Sequence, residues 1–363
     1  MQPNEFIKRL KEYPLASHAA WEAPNPHEVL KMDWNEPDLM LPAQVKRAVI
    51  DFVENGPTQW YPDIANKALL QGLARYAGVP VDHVQYFAGE DSALDYAVRA
   101  FVTPGDTVGL VAPTYDNFRV FVESVGAEPV FIALDDPFSA DIEALIERIP
   151  RDAKLVYLVN PNNPTGVLYS VEEVERLLTA FPETLFFVDE AYIEFGGATC
   201  VPLATRYPNI IVGRSTSKSF GLASFRLGYL IASPENLVHI NKIRNGKNVS
   251  ALAQVAAVAA LRDTSYVHEY VKSVQESRLM MQEGLTRLGY APIMTPANFI
   301  LLPVSDPKAL TSALTNERVF IRTLGHLAGM EQYVRITVGT PENTRRFLAI
   351  VEDLLSHGKI SLS

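Results

Sequence analysis

The architecture of this chain is indicated most clearly by residues 209–221, which read Asn209-Ile210-Ile211-Val212-Gly213-Arg214-Ser215-Thr216-Ser217-Lys218-Ser219-Phe220-Gly221. The first part is a short apolar run, which is typical of a strand buried on both faces of a parallel sheet. Small hydroxyl residues and then Lys218 follow this run. The pattern predicts that Lys218 lies where a buried strand ends, a place where a lysine can lose its proton and act as a nucleophile.

Polar residues also follow two other apolar runs. Asp189 closes the run 184–188, and a buried carboxylate is costly unless it meets a cation or a hydrogen-bond donor. Another run leads into Asn160-Pro161-Asn162-Asn163-Pro164-Thr165-Gly166, whose composition indicates a tight turn. Because open α/β sheets bind ligands at the carboxyl ends of their strands, we expect Asp189, Asn163 and Lys218 to share one edge.

An amine, a buried carboxylate and an amide at one sheet edge are what pyridoxal 5'-phosphate requires of a protein. Lys218 would form a Schiff base with its aldehyde, and Asp189 would keep its ring nitrogen protonated so that the ring accepts electrons. Asn163 would donate to its phenolic oxygen. The alternatives are an ordinary surface lysine at Lys218 and a helix N-cap at Asp189. The combination favours a pyridoxal-phosphate site.

The phosphate group of this cofactor has its own candidate ligands. Gly89-Glu90-Asp91 precedes residues 94–101, in which apolar side chains recur at helical spacing. The backbone amides of this segment would then lie at a helix N-terminus, where anions bind. Ser215 and Ser217 would add hydroxyl groups. Arg226 would add a charge-assisted contact, with a structural salt bridge as its alternative role.

The same motifs occur in order in a known enzyme family. The chain resembles the fold-type-I pyridoxal-phosphate-dependent aminotransferases of class I/II, and most closely the histidinol-phosphate aminotransferase group. The motifs that carry the resemblance are Tyr61-Pro62-Asp63, Gly89-Glu90-Asp91-Ser92-Ala93-Leu94, Pro113-Thr114-Tyr115, Asn162-Asn163-Pro164-Thr165-Gly166, Asp189-Glu190-Ala191-Tyr192, Ser215-Thr216-Ser217-Lys218-Ser219-Phe220-Gly221, Arg226-Leu227-Gly228 and Val334-Arg335-Ile336-Thr337-Val338-Gly339-Thr340. Each motif alone is weak, whereas together in this order they are specific.

The resemblance implies a role for each catalytic residue that matches the family. Lys218 resembles the lysine that holds the cofactor and then shuttles a proton as a general acid and base. Asp189 resembles the partner of the ring nitrogen. Asn163 and Tyr192 resemble the pair that hydrogen-bonds the phenolic oxygen, and Tyr115 resembles the residue that stacks on the ring.

The resemblance also implies substrate contacts and a homodimer with a shared active site. Tyr61 resembles the tyrosine that reaches the phosphate in the neighbouring subunit, although a loop aromatic that covers the core is its alternative role. Arg335 lies in an alternating, strand-like run and resembles the residue that grips the acidic end of the substrate. Arg322 is a candidate second clamp or an exposed strand residue. Asn35 lies in the segment that resembles the substrate-proximal part of the family.

Two positions depart from the family pattern. The segment Trp34-Asn35-Glu36-Pro37 lacks the second Asn of the usual Asn-Glu-Asn-Pro motif. Ser92 stands where the family usually has an acidic residue. Since backbone amides bind the phosphate, we expect the phosphate site to survive the second departure, while the first one bears on the choice of substrate.

The activity implied is a two-step transamination between glutamate and 2-oxoglutarate on one side and a second substrate on the other. Histidinol phosphate with imidazole acetol phosphate, or an aromatic amino acid, is that second pair by resemblance. The alternatives are a decarboxylase of a phosphorylated amino acid and a biosynthetic aminotransferase with an unusual amine substrate. A nicotinamide oxidoreductase lacks support because no Gly-x-Gly-x-x-Gly follows a strand, and the length leaves no room for the DNA-binding module of a regulator.

The global properties agree with a soluble enzyme. The chain has 363 residues, 48% of them hydrophobic, which is enough for more than one domain. A net charge of −10 and the lack of a basic cluster argue against a nucleic-acid partner. We expect no membrane segment, a cytoplasmic location and, from seven scattered histidines and one cysteine, no metal site.

The apolar runs predict an α/β fold. Strand-like runs at 108–112, 129–134, 155–159, 185–188, 210–213 and 227–232 alternate with helical ones, which predicts a mostly parallel sheet flanked by helices. After Ser250 a long helical stretch is followed by strands at 298–304, 319–322 and 333–338 and a closing helix at 344–355. We therefore predict a large cofactor-binding domain over 42–245, a smaller α+β domain over 246–363, and an N-terminal arm over 1–41 that joins the small domain.

Overall fold

The protein is described here from a computed structural model, which covers residues 1–12, 18–25 and 28–360. Parts of the predicted N-terminal arm, 13–17 and 26–27, lie outside the described residues. The helices of the described part are α1 (Glu5–Arg9), α2 (Ala43–Asn55), α3 (Lys67–Ala77), α4 (Glu90–Phe101), α5 (Asn117–Ser124), α6 (Ile142–Arg148), α7 (Val171–Ala180), α8 (Val201–Ala204), α9 (Pro234–Ile243), α10 (Ala251–Arg262), α11 (Ser265–Arg287), α12 (Pro307–Asn316) and α13 (Pro341–Ser356).

The strands form one large sheet and two smaller ones. In chain order they are β1 (Leu30–Lys31), β2 (Val84–Phe87), β3 (Thr107–Ala112), β4 (Glu128–Ala133), β5 (Leu155–Val159), β6 (Leu185–Asp189), β7 (Ile210–Ser215), β8 (Gly228–Ala232), β9 (Ile293–Met294), β10 (Phe299–Pro303), β11 (Val319–Phe320), β12 (Arg322–Thr323) and β13 (Tyr333–Thr337). The large sheet has seven strands in the order β2-β8-β7-β6-β5-β3-β4. β8 pairs antiparallel with β2 and β7, and the other four pairs are parallel, so the predicted mostly parallel α/β sheet is confirmed.

Alternation along the central strands builds two apolar cores, one on each face of the large sheet. In β5, Val156 and Leu158 join a core with residues of α3, α6, α7 and α10. Leu155, Tyr157 and Val159 face the other way and join residues of α4, α5 and α9. Because both faces are covered, these strands are apolar throughout, which is why they stand out in the sequence.

Helix α7 shows how the sequence sets an element boundary. Ser170 caps its N-terminus, since the Glu173 amide donates to Ser170 Oγ at 3.2 Å and the Ser170 amide donates to Glu173 Oε2 at 2.7 Å. This capping box satisfies two otherwise unpaired amides. Val174, Leu177 and Leu178 follow at helical spacing and are buried against the sheet.

The second sheet has four antiparallel strands in the order β12-β13-β10-β9 and packs with α11 and α13 around a separate apolar core. The prediction of one strand over 319–322 is wrong. The run divides at Ile321, because β11 pairs in parallel with β1 of the N-terminal segment whereas β12 pairs with β13. The stretch after Ser250 is likewise two helices, α10 and α11. The domain boundaries at 41/42 and 245/246 remain a prediction.

A buried ion pair stabilises the carboxyl edge of the large sheet. Glu190 follows β6 directly, and Arg214 lies on β7 with its Nη2 2.9 Å from Glu190 Oε2. The Cys200 amide donates to the other carboxylate oxygen, and Arg214 Nη2 also donates to Thr199 Oγ1 at 2.7 Å. The Glu190 side chain is fully buried. A buried charge left without its partner is strongly destabilising.

We predict that Glu190→Gln lowers the free energy of unfolding by about 3–5 kcal/mol, because it leaves the Arg214 charge buried without a full counterion. Denaturant unfolding followed by circular dichroism and fluorescence measures this. The matched control is Asp135→Asn, which removes the exposed partner of Arg148 and should cost less than about 1 kcal/mol. Equal unfolding midpoints for the two variants would contradict the prediction.

Candidate active site

A cavity of about 890 Å³ lies between the carboxyl edge of the large sheet and the N-terminal segment next to β12 and β13. Every predicted site residue except Asn35 and Tyr61 lines it. The predicted residues on its wall are Glu90, Asp91, Tyr115, Asn163, Asp189, Tyr192, Ser215, Ser217, Lys218, Arg226, Arg322 and Arg335. The structure thus collects side chains that are far apart in the sequence around one space large enough for a cofactor and a small substrate.

Lys218 lies just beyond the end of β7 with its amine in this cavity. Its Nζ donates to the carbonyl oxygen of Trp34 at 2.8 Å. Burial, and then the nearby positive charge of Arg335, lower the pKa of Lys218 to about 8, although Glu36 and Asp91 oppose the shift. The neutral, nucleophilic amine is therefore abundant at mildly alkaline pH.

Asp189 is the last residue of β6 and is buried. Its Oδ2 accepts a hydrogen bond from the Tyr157 hydroxyl at 2.6 Å, and its Oδ1 accepts from the Ala191 amide at 3.0 Å. Burial raises the pKa of Asp189, whereas these donors lower it. Tyr157 was not predicted as a site residue. The only signal was its position two residues before the end of β5, on the strand beside Asp189.

An anion-binding cradle forms where α4 begins. Gly89 precedes the helix with a φ of 81°, a backbone conformation that favours glycine, and a Cβ there would lie 2.6 Å from Arg226 Nη2. Arg226 Nη2 lies 3.3 Å from Asp91 Oδ2, and its Nη1 donates to Ser217 Oγ at 3.3 Å. The Ser217 amide donates to Ser215 Oγ at 3.2 Å. A helix N-terminus, a guanidinium and two hydroxyls thus converge on one wall of the cavity.

Tyr192 is held by amides on two sides. Its hydroxyl accepts from Asn35 Nδ2 at 3.0 Å and from Asn163 Nδ2 at 3.4 Å. Burial raises the pKa of Tyr192 to about 12. Asn35 is buried, also bonded to Thr337, and not among the residues that line the cavity. The contact of Asn35 with substrate remains a prediction. In the structure, its side chain donates a hydrogen bond to the Tyr192 hydroxyl.

One part of the cavity wall carries positive charge. Arg322 and Arg335 are register partners on β12 and β13, so both side chains leave the same face of the hairpin. Arg335 donates to Asn163 Oδ1 at 2.6 Å and to the carbonyl of Asp33 at 2.8 Å. His326, in the loop between the two strands, also lines the cavity. Burial and the two arginines lower the pKa of His326 to about 4.

Two residues that line the cavity were not among the predicted site residues, and the predicted residue Tyr61 lies elsewhere. His326 was not singled out, since a histidine in a Gly-rich loop gives no periodic signal. Trp34, which belongs to the segment that departs from the family motif, lines the cavity. Lys31 Nζ lies 4.4 Å from its ring centroid. Tyr61 is 82% exposed and lies near Lys247, away from this chain's own cavity. Its predicted role in a partner subunit stays a prediction.

The arrangement fits pyridoxal phosphate. The start of α4 beside Gly89 and Arg226 would take the phosphate, and a buried strand-end carboxylate would take the ring nitrogen. Across the described part of the chain, no group of three or more His, Cys, Asp or Glu side chains could hold a metal ion. Nor does any helix among the described residues have the length and apolar character to cross a bilayer.

Fold and site together define an α/β enzyme built around a lysine-bound, phosphate-carrying cofactor. The family model for aminotransferase class I and II matches residues 27–351, and the chain belongs to this family. Its cofactor is pyridoxal 5'-phosphate, and its chemistry is amino-group transfer.

Individual relatives agree with this assignment. Dihydroxyacetone phosphate transaminase Cj1437c of Campylobacter jejuni is 38% identical over 346 residues, covering 94% of each chain. Histidinol-phosphate aminotransferase 1 of Cupriavidus pinatubonensis is 32% identical over 90% of this chain and 88% of that one. The crystal structure of histidinol-phosphate aminotransferase from Sinorhizobium meliloti with pyridoxal-5'-phosphate is 28% identical, with a TM-score of 0.87 over 97% and 98% of the chains.

We predict that Lys218 in the cofactor-free protein reacts with an amine-directed reagent with a midpoint near pH 8, well below the usual 10.5. The neutral amine is the reacting form, so the rate should rise through the pKa and then level off. Arg335→Gln removes a positive charge and should move the midpoint up, whereas Glu36→Gln should move it down. Peptide mass spectrometry measures the rate at each pH, and a wild-type midpoint above 10 would refute the prediction.

Proposed function

We propose that the protein transfers an amino group between glutamate/2-oxoglutarate and a phosphate monoester, with dihydroxyacetone phosphate as the first candidate for the second substrate. The observation that carries this proposal is the pair Arg322 and Arg335 at one end of the cavity, facing the Lys218 amine. Two guanidinium groups match a phosphate dianion better than a single carboxylate. An aromatic amino acid, which has no second anion, uses this end less well.

The relatives support a substrate that carries a phosphate ester. The two relatives compared by sequence are named for dihydroxyacetone phosphate and for histidinol phosphate. These molecules share a reacting carbon separated from the phosphate ester by one methylene. What differs is the other substituent, a hydroxymethyl group in one and an imidazolylmethyl group in the other.

The local geometry suits this shared unit. Consecutive carbonyls accept hydrogen bonds from the two key cations, that of Asp33 from Arg335 and that of Trp34 from Lys218. Adjacent Cα atoms are about 3.8 Å apart, so the amine and the guanidinium lie within about 10 Å of each other. Trp34 and Trp21 also line the cavity. Bulky indoles here and the higher identity to the first relative favour the smaller substrate, with histidinol phosphate as the second candidate.

The chain's own residues would divide the work as follows. Glycine-cradled amides at the start of α4, together with Ser215, Ser217 and Arg226, would hold the cofactor phosphate. Asp189 would keep a proton on the ring nitrogen, and Tyr192 with Asn163 would bond its phenolic oxygen. The cofactor supplies an electron sink that weakens the bond between the reacting carbon and its hydrogen.

Lys218 and the distal cations would complete the reaction. Lys218 Nζ, freed from its covalent role, would move the proton to and from the reacting carbon. Arg322 and Arg335 would orient the phosphate ester so that this carbon faces the lysine. Tyr115, whose hydroxyl donates to Asp91 Oδ1 at 3.0 Å, would pack on the ring.

A homodimer with shared sites is part of the proposal. Tyr61 and its neighbours Trp60 and Ile64 are exposed in a single chain. A contiguous group of large apolar side chains at the surface is typical of a protein interface. If a second copy covers this loop, Tyr61 could reach the phosphate cradle of that copy.

Half-reactions test the proposal directly. We expect glutamate to bleach the visible absorption of the bound cofactor and release 2-oxoglutarate, and dihydroxyacetone phosphate then to restore the absorption. Dihydroxyacetone phosphate should be about tenfold or more efficient than imidazole acetol phosphate, since an ill-fitting substituent costs this much in a closed pocket. The reverse preference would move the assignment to histidinol phosphate. Release of carbon dioxide without 2-oxoglutarate would favour the decarboxylase alternative.

Arginine variants serve as the control for the phosphate. Arg322→Met should lower the efficiency with dihydroxyacetone phosphate by about 10- to 100-fold, because a charge-assisted hydrogen bond is lost. Unphosphorylated dihydroxyacetone should be equally poor with the variant and the wild type. Arg345→Met, on the exposed side of α13, is the matched substitution and should change neither rate. Equal losses with both ketones would contradict phosphate recognition by Arg322.

Subunit mixing tests the shared site. Lys218→Ala and Tyr61→Ala homodimers should both be nearly inactive, while a heterodimer would hold one site with both native residues. Random exchange makes about half of the dimers mixed, so the activity should recover to about a quarter of the wild-type value. A mixture no more active than its parents would place Tyr61 outside the partner's site.

A further inference from the structure

We propose that Glu90 is a positioning residue whose side-chain carboxyl stays neutral, donates a hydrogen bond to Asp189 and so sets how strongly Asp189 holds the cofactor's ring-nitrogen proton. This inference rests on the proposed role of Asp189. It gives the Glu90 side chain a task separate from that of its backbone amide at the phosphate.

Two glycines on β7 and β8 leave space for the Glu90 side chain. Glu90 is the first residue of α4, and its side chain is directed toward β7. A Cβ on Gly213 would lie 2.5 Å from Glu90 Oε1, and a Cβ on Gly228 would lie 2.4 Å from the Glu90 amide nitrogen. Gly213 is the register partner of Asp189. Two glycines on neighbouring strands thus open the space that brings Glu90 to Asp189.

The hydrogen bonds indicate which of the two carboxyls carries a proton. The buried Glu90 carboxyl approaches Asp189, since its Oε1 lies beside Gly213, the register partner of Asp189. A hydrogen bond between the two carboxyls requires one proton between them. Asp189 receives donors on both oxygens, from Tyr157 and from Ala191. Among the described residues, no backbone amide or donor side chain reaches Glu90 Oε1. The anion is therefore better stabilised on Asp189, and the proton belongs on Glu90.

The groups around Glu90 favour its neutral form. They are Asp189 on β6, Asp91 beside it on α4, Glu194 in the turn after β6, and Tyr157 on β5. Burial first, and then the negative charges of Asp189 and Asp91, raise the pKa of Glu90 well above its usual range. An amide would make the same hydrogen bond without a proton to lose.

Loss of the Glu90 donor should change the pKa of Asp189 in one direction. A donor to a carboxylate stabilises its charged form, so removing the donor raises the pKa of the carboxylate. The cofactor's protonated ring nitrogen needs Asp189 as an anion. When the solution is acidified, a variant without the Glu90 donor should therefore lose cofactor affinity at a higher pH than the wild type does.

Two variants separate hydrogen-bond donation from packing. Glu90→Gln keeps the volume and a donor, whereas Glu90→Ala removes both. At about pH 5 we expect Glu90→Ala to bind pyridoxal phosphate about tenfold more weakly than the wild type, and Glu90→Gln within about threefold of it. Equilibrium titration of the cofactor-free protein by absorbance at a series of pH values measures this. Equal losses in the two variants, or no loss in Glu90→Ala, would overturn the proposal.

Infrared spectroscopy gives a readout that needs neither cofactor nor activity. With carboxyl-labelled glutamate, the cofactor-free wild type at pH 7 should show the stretch of a protonated carboxylic acid, and Glu90→Gln should lack it. Glu283→Gln, at an exposed position of α11, is the control and should keep the signal. A spectrum unchanged by Glu90→Gln would refute a neutral Glu90. If Asp189→Asn leaves cofactor affinity unchanged, the proposed role of Asp189 fails instead.

Discussion

The site depends on placing a negative charge at the end of a buried strand. Asp189 lies at the end of β6 with apolar cores on both faces of the sheet, where an unpaired carboxylate would not be tolerated. The Tyr157 hydroxyl and the Ala191 amide stabilise it, and Glu90 lies against it. Each of these partners belongs to a different element, so the sheet, the turn after β6 and α4 must all be in register before Asp189 can be an anion.

Two sheets contribute different halves of the cavity. The large sheet and α4 supply the proposed cofactor side, and the strands β5, β6 and β7 there are buried along their whole length. The hairpin β12–β13 of the second sheet supplies Arg322 and Arg335, the proposed contacts to substrate. The segment around Trp34 bridges the two, since its carbonyls touch cations from both halves. A substrate held by both halves would favour a fixed distance between the two sheets, as expected for closure on binding.

The parts of the candidate site that the sequence predicts lie in contiguous motifs after buried strands, and the structure gathers them around one cavity. Lys218, Asp189 and Asn163 follow apolar runs, and the edge of a parallel sheet brings such positions together whatever the loops do. Tyr157 and His326 gave no such signal, because one is an ordinary apolar-run residue and the other lies in a loop. The short strand β2 was missed because its four residues include Gln85 and give no run long enough to recognise.

Strand pairing between segments far apart in the chain could not be predicted from the sequence either. The break at Ile321 exists because β11 pairs with β1, nearly 290 residues earlier in the chain, whereas β12 pairs with β13. The position of the Glu90 side chain could not be predicted either. Its contact with Asp189 requires two glycines on other strands, and neither glycine is unusual in its own segment.

The charges of the cavity also connect substrate binding to proton transfer. Arg335 is the largest charged contribution that lowers the pKa of Lys218. A phosphate ester bound at Arg335 would neutralise that charge, so the proton affinity of the lysine would rise when the substrate is in place. The lysine needs to be neutral to attack and needs to accept a proton afterwards. The guanidinium proposed to orient the substrate would thus help to change Lys218 from a nucleophile into a base.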